Sequence, residues 1–309
     1  MARIIAVANQ KGGVGKTTTA INLSASLASA RLNTLLVDCD PQSNATSGIG
    51  LGKDPLRNST YKLLLGECDA NSALQKTCLE HLSVIPADNN LVGVNFELID
   101  IEGREFKLRN GLAPLSERFK FILIDCPPAL DLLTLNALVA ADSVLIIMQA
   151  EYFALEGISA LLNTIERIRA AFNPALEIEG VLLAMFENRT NLSQQVTAEL
   201  KKFFGDKLLT TAIPRNVRLA EAPSHGKPVL LYDPKSRGAE SYIQLAKEII
   251  QKHNLSGSVA FPEAAQKEEK PVEEAREEKK EGEERKAANA PRGWRRWRER
   301  NKLITIDLT

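Results

Sequence analysis

The stretch Lys11-Gly12-Gly13-Val14-Gly15-Lys16-Thr17-Thr18 constrains this chain more than any other, because it fits one kind of junction. An apolar, β-branched run from Ile4 to Val7 precedes it. A helix-period pattern follows, with Ala20, Leu23, Leu27 and Ala30 on one face. A glycine-rich loop between a strand and a helix turns backbone N–H groups toward phosphate oxygens, and the helix N-terminus adds partial positive charge. Lys16 then reaches the β and γ phosphates, and the Thr17 hydroxyl is placed to ligate Mg²⁺. The usual pattern has glycine where Gln10 stands, and the additional Lys11 has no task in an intramolecular cradle.

Three carboxylates extend the motif. Asp38 and Asp40 close a second apolar run in Val37-Asp38-Cys39-Asp40-Pro41-Gln42, and Asp125 closes Phe121 to Ile124 before Cys126-Pro127-Pro128. Carboxylates at the C-terminal ends of parallel strands face the crevice where ligands bind. Around a phosphate loop, their joint placement points to metal and water handling.

Further apolar runs at Thr34–Val37, Leu82–Ile85, Val144–Ile147, Val181–Leu183 and Val229–Leu231 read as buried strands. Helical patterns lie between several of them, and Tyr242, Leu245, Ile249 and Ile250 mark a last amphipathic helix. Alternation of this kind implies an α/β fold of P-loop NTPase type, a doubly wound, mainly parallel sheet flanked by helices. With 44% hydrophobic and 25% charged residues, the chain is neither collagen-like nor wholly disordered. No apolar run approaches the roughly 18 residues of a membrane span, so integral membrane association is not expected. Cys39, Cys68, Cys78 and Cys126 form no CxxC pair and no secretory leader precedes them, which suits the reducing cytoplasm.

The loop Lys11–Thr18, the Asp38–Gln42 and Asp125–Pro128 segments, and Ile213-Pro214-Arg215-Asn216-Val217-Arg218-Leu219-Ala220-Glu221-Ala222-Pro223-Ser224-His225-Gly226 together resemble the ParA family of partition ATPases, in particular its chromosomal Soj branch. The resemblance runs from Arg3 to about His253. It implies an ATP- and Mg²⁺-dependent homodimer in which Lys11 crosses to the partner's phosphates and Gly12 sits at the same close contact. It further implies that Asp40 positions the attacking water, that Asp125 and Thr17 hold Mg²⁺ with Asp38 in the metal shell, and that Pro214 and Asn216 meet the adenine. A ParB-like centromere-binding partner and non-specific binding of double-stranded DNA in the nucleoid are implied as well, with Arg189 and Arg218 as the DNA contacts. Lys201, Lys202, Lys207 and Arg215 are further candidate cations. A MinD-like membrane-cycling ATPase and a regulator of replication initiation or of another cargo would share the same ATPase residues. A reductase related to the nitrogenase iron protein would need paired cluster cysteines, and no such pair is evident.

Charge refines the division of the chain. Lys+Arg and Asp+Glu both total 39, but the balance is a sum over unlike parts. Residues 1–261 carry 26 basic and 27 acidic side chains. From Pro262 to Ala290 there are seven basic and ten acidic, with almost no large apolar residue, so a disordered linker over 256–290 is expected after an ATPase domain at 1–255. Residues 291–309 hold six cations, two acids and both tryptophans, Trp294 and Trp297. Such a basic segment suits contact with DNA, a partner or an anionic surface. Neutral net charge thus requires any DNA binding to come from a localised patch.

Overall fold

Strand residues divide by parity between two buried clusters. Ala6, Val37, Ile122 and Ile146 join one, while Val7, Leu36, Leu123 and Leu145 join the other. Side chains alternate across a strand, so a sheet apolar at both parities must be covered on both faces. The computed structural model shows this sheet and describes residues 1–52, 54, 57–151, 154–187 and 191–255, without side chains at 154–157 and 191–194. The expected segments 256–290 and 291–309, and Arg189, lie outside the described residues.

Eight strands are described: β1 (Arg3–Ala8), β2 (Thr34–Asp38), β3 (Gln75–Lys76), β4 (Leu82–Ile85), β5 (Phe121–Asp125), β6 (Ser143–Met148), β7 (Glu177–Phe186) and β8 (Leu208–Pro214). Their order is β3-β4-β2-β5-β1-β6-β7-β8, and every pairing is parallel except β3 with β4. The expected P-loop NTPase fold is therefore present. Helix α1 (Lys16–Ser29) and the C-terminal helix Arg237–Lys252 pack together on one face, burying Leu23, Leu27, Leu245 and Ile249.

Two expectations are corrected. Val229–Leu231 is not a strand: Val229–Tyr232 forms one helical turn after Pro228, anchored where the Val229 amide donates to Asn22 Oδ1 at 2.7 Å. The last strand is instead Leu208–Pro214, an edge strand with Thr210 and Thr211 at its centre and little complete burial. A three-residue apolar run is too short to reveal its period, and an edge strand needs no continuous apolar run.

Glycine is required where two loops touch. Gly50 and Gly226 both have positive φ, +92° and +61°. A Cβ on Gly50 would lie 2.7 Å from the Gly226 carbonyl oxygen, and one on Gly226 would lie 2.7 Å from Gly50 Cα. The contact joins the turn after Asn44–Gly48 to the turn that ends the Ile213–Gly226 motif.

Candidate active site at the phosphate loop

Parity also explains the site. Asp38 and Asp125 share parity with Leu36 and Leu123, so they face the side covered by α1, and they are direct register partners across β2 and β5. Cys39 and Cys126, one residue on, belong to the opposite cluster and are buried thiols. Burial pushes both thiols up, as befits core packing rather than reactivity.

Between β1 and α1 the loop turns through Gly13 and Gly15, at φ +72° and +97°. Gly15 caps α1 in the left-handed region that glycine adopts without strain. Gly12 differs: its φ is not left-handed, and a Cβ there meets nothing within 4 Å, so this protomer alone does not require glycine. Val14 is buried, whereas Lys11, Gly12 and Gly13 are exposed. Lys16 is 6% exposed and donates to the Lys11 carbonyl at 3.2 Å. Burial pulls its ammonium down, against the opposing charges of Asp125, Cys126 and Asp40.

The three aspartates occupy unlike settings. Asp38 is committed to backbone and hydroxyl donors, with Oδ1 accepting from the Asp40 amide at 3.1 Å and Oδ2 from the Thr46 amide at 2.8 Å and the Thr46 hydroxyl at 2.7 Å. Burial outweighs those bonds and pushes its carboxyl up to about 6. Asp38 thereby braces the following loop, a task the sequence expectation of a metal-shell role does not include. Asp125 is buried, and neither of its carboxylate oxygens has a hydrogen-bond partner. Burial, then the Asp38 charge, raise its carboxyl well above the usual range. The Thr17 hydroxyl, facing it without a hydrogen bond of ordinary geometry, and the Lys16 ammonium only partly counter this. Two buried carboxylate oxygens without donors, beside a hydroxyl oxygen, are a donor set suited to a hard divalent cation, and the neighbouring ammonium suits phosphate. Asp40 is 7% exposed and accepts from the Gln42 amide at 2.9 Å.

A cavity of about 340 Å³ joins Gly12, Gly13, Gly15, Lys16, Thr17 and Thr18 to Asp40, Gln42, Asn44, Pro128 and Met185. Sequence reasoning missed Asn44 and Met185 as lining residues. Met185 adopts φ +51°, uncommon for a non-glycine residue and clustered at functional sites, and no sequence signal marks it. Lys11 is not among the residues lining that cavity; its Nζ lies 2.5 Å from Glu151 Oε2, with both side chains more than half exposed. An exposed pair of this kind contributes about 0–1 kcal/mol and exchanges readily for another partner.

A family model described as an AAA domain matches residues 2–178. The chain is 53% identical over 249 residues to the sporulation initiation inhibitor protein Soj of Bacillus subtilis, spanning 81% of this chain and 98% of that one. It is 52% identical over 250 residues to the chromosome partitioning protein ParA of Myxococcus xanthus, spanning 81% and 88%. The chain belongs to the ParA/Soj family. This ParA/Soj chain is also similar to a solved structure of cobyrinic acid a,c-diamide synthase from Mycobacterium smegmatis with bound ATP analogue and magnesium, at 34% identity and a TM-score of 0.72, covering 85% and 100%.

The remaining candidates of the ParA/Soj chain lie apart from that cavity. Pro214 ends β8 in register with Phe186. Asn216 caps the helix Val217–Glu221, its Oδ1 accepting from the Arg218 amide at 2.8 Å. Arg218 is half exposed and paired with Glu221 at 2.8 Å and Asp233 at 3.2 Å. Lys202 pairs with Glu199, Arg215 with Glu187, and Lys207 donates to the Ile178 carbonyl. Among the described residues, no helix is long and apolar enough to cross a membrane.

Proposed function

We propose that this chain is a Mg²⁺-dependent ATPase switch for chromosome or plasmid partition: ATP dimerises it, the dimer binds double-stranded DNA non-specifically, and hydrolysis stimulated by a ParB-like partner releases it. The observation that carries the reading is the unpartnered, fully buried Asp125 carboxylate beside Thr17 and Lys16 of the phosphate loop, in a chain of ParA/Soj ancestry. Mg²⁺, when bound, neutralises charge on the β and γ phosphates. Thr17 and Asp125 are the residues to hold it, and Asp38 acts through the loop that it braces.

The loop amides and Lys16 bind the phosphates, and Asp40 orients the attacking water. Lys11 is exposed and its ammonium is held by a surface ion pair with Glu151, which suits a cation delivered to a partner's phosphates. Charge supplied in trans makes hydrolysis contingent on dimerisation. Gly12, which a single protomer does not require, suits the close approach of that second protomer. Pro214 and Asn216 are assigned to the adenine, and Arg189 and Arg218 to DNA.

The test is ATP turnover with and without DNA and the partner, beside the oligomeric state of Asp40→Ala by light scattering. Slow basal turnover stimulated by both ligands is expected, with the variant accumulating as an ATP-bound dimer. An Asp40→Ala variant that binds ATP yet stays monomeric, or one that turns over at the parent rate, rejects the role given to Asp40.

A further inference from the structure

The loop that carries Asp40 runs between two cavities. On one side lies the phosphate-loop cavity, whose lining includes Asp40, Gln42 and Asn44. On the other lies a cavity of about 260 Å³, where Gln42, Ser43, Thr46 and Ser47 face Ala87 and Asp88. Ala45 is fully buried in the core beyond the loop, whereas Gln42, Ser43 and Asn44 are not. A side chain that faces open space forgoes the contacts that fix position in a close-packed interior, so this loop takes its place from directed bonds.

Those bonds converge on Thr46. The Asp40 amide donates to Asp38 Oδ1 at 3.1 Å, so the Asp38 carboxylate sets where Asp40 stands. Both bonds to the other oxygen, Oδ2, come from Thr46, through its amide at 2.8 Å and its hydroxyl at 2.7 Å. The same hydroxyl accepts from the amide of Ala87, just beyond β4, at 2.9 Å. That end is secured in turn by Thr60, whose amide donates to the Pro86 carbonyl at 2.8 Å and whose hydroxyl donates to the Asp38 carbonyl at 2.7 Å. Asp38, Thr46, Thr60 and Ala87 are at most 7% exposed, so water competes little for these bonds.

The residue type is specific. A hydroxyl donates and accepts at one atom, and a β-branch restricts its rotamer. Valine keeps the shape and neither hydroxyl bond, while serine keeps both bonds without the branch. Thr46 is not among the residues lining the phosphate-loop cavity, so its route to the chemistry is the placement of Asp40.

We propose that Thr46 is a positioning residue for hydrolysis: its hydroxyl bolts the Asp38 carboxylate to the backbone beyond β4 and so fixes Asp40 where it orients the attacking water. The role in turnover rests on the ATPase reading above; the clamp on the loop does not.

The test measures phosphate release, ATP affinity and ATP-dependent dimerisation on the full chain and on Thr46→Val, Thr46→Ala and Thr46→Ser. The two variants without a hydroxyl should lose turnover at least about tenfold, since a misplacement of about 1 Å costs up to about 100-fold. They should keep KM within about threefold and accumulate as ATP-bound dimers, because Thr46 does not line the nucleotide cavity. Thr46→Ser should turn over within about twofold of the parent. Hydrogen exchange at the Asp40 and Ala87 amides should quicken in the hydroxyl-free variants and not in Thr46→Ser. Turnover at the parent rate without the hydroxyl, a serine variant as slow as the valine one, or unchanged exchange at both amides would each overturn the proposal. Loss of the fold, of ATP binding or of dimerisation in both hydroxyl-free variants would also overturn it, by assigning the hydroxyl to structure alone. A parent chain that hydrolyses no ATP, with exchange at Asp40 and Ala87 quickened in Thr46→Ala, would instead overturn the ATPase reading and leave the clamp standing.

Discussion

Replacing Asp125 with asparagine should stabilise the metal-free protein and remove its response to magnesium. Asp38, its register partner, is held by three hydrogen bonds, yet burial still pushes its carboxyl to about 6 from 3.8. At ~1.4 kcal/mol per pKa unit, that displacement costs about 3 kcal/mol of folding stability at neutral pH. Asp125 is pushed in the same direction, by burial and then by the Asp38 charge, with Thr17 and Lys16 only partly opposing, so a neutral isostere should recover stability there as well. Asparagine leaves the same positions without partners, so that deficit is common to both forms.

The sign follows from linkage. A carboxyl whose folded pKa is raised binds its proton more tightly in the folded state, so stability is greatest below the unfolded value near 4 and falls as pH rises toward the folded value. The variant lacks Asp125's share of that fall. Thermal melts in EDTA from about pH 5 to about pH 8 should show the variant's advantage growing with pH; a cost on the ~3 kcal/mol scale of Asp38 corresponds to roughly 6–12 °C in a chain of this size. Magnesium with nucleotide should raise the melting temperature of the parent far more than that of the variant. A gap that does not change with pH, or a variant less stable throughout, refutes the assignment of Asp125 as a carboxyl that is costly to ionise without a cation.

Three further outcomes are expected. Gly12→Val should retain ATP binding, measured with a fluorescent analogue, and lose ATP-dependent dimerisation, because a Cβ there meets nothing within the protomer, while the proposed dimer brings a second protomer to the same contact. The double variant Arg189→Glu, Arg218→Glu should lose retention on non-specific DNA at moderate salt while still forming the ATP dimer; the new glutamate at 218 would also face Glu221 and Asp233. Glu179→Gln, at the opposite end of the sheet, should cost about 1–3 kcal/mol in urea denaturation by weakening its bonds to Lys252 and His253, while Arg3 keeps Glu177. Burial alone would raise the Glu179 carboxyl, but bonds from His253 and Ser143 and the charges of His253 and Lys252 hold it well below the usual range. Its share of stability is therefore present above about pH 4.5 and lost as pH falls, and the variant should lack that acid sensitivity.

The central sheet and the phosphate loop were legible because their signals are local and redundant. Strands buried on both faces need apolar residues at both parities, and Ile5–Ala8, Leu35–Val37, Phe121–Ile124 and Val144–Met148 supply them. The glycines of the loop answer a backbone demand that other residues meet poorly, at Gly13 and Gly15. β8 was hidden because an edge position tolerates Thr210 and Thr211, and Val229–Leu231 deceived because three apolar residues suit a strand or a buried helical turn alike. The division of labour between Asp38 and Asp125 could not be read in one dimension, since it depends on whether Thr46, eight residues beyond Asp38, folds back to donate to it. Met185 enters the cavity through a backbone conformation that its sequence does not announce.

The contact between Gly50 and Gly226 has a mechanical meaning. Each glycine stands at the end of a short lever: one begins at Asp40 and runs through Asn44–Gly48, the other begins at Asn216 and runs through Arg218. With main chain against main chain at the crossing, no side chain is available to act as a cushion. A displacement of the first lever on loss of the terminal phosphate must either carry the second with it or open the crossing. Chemistry at one rim of the sheet can thus be reported to the surface around Arg218, the one proposed to meet DNA, without a hinge between domains.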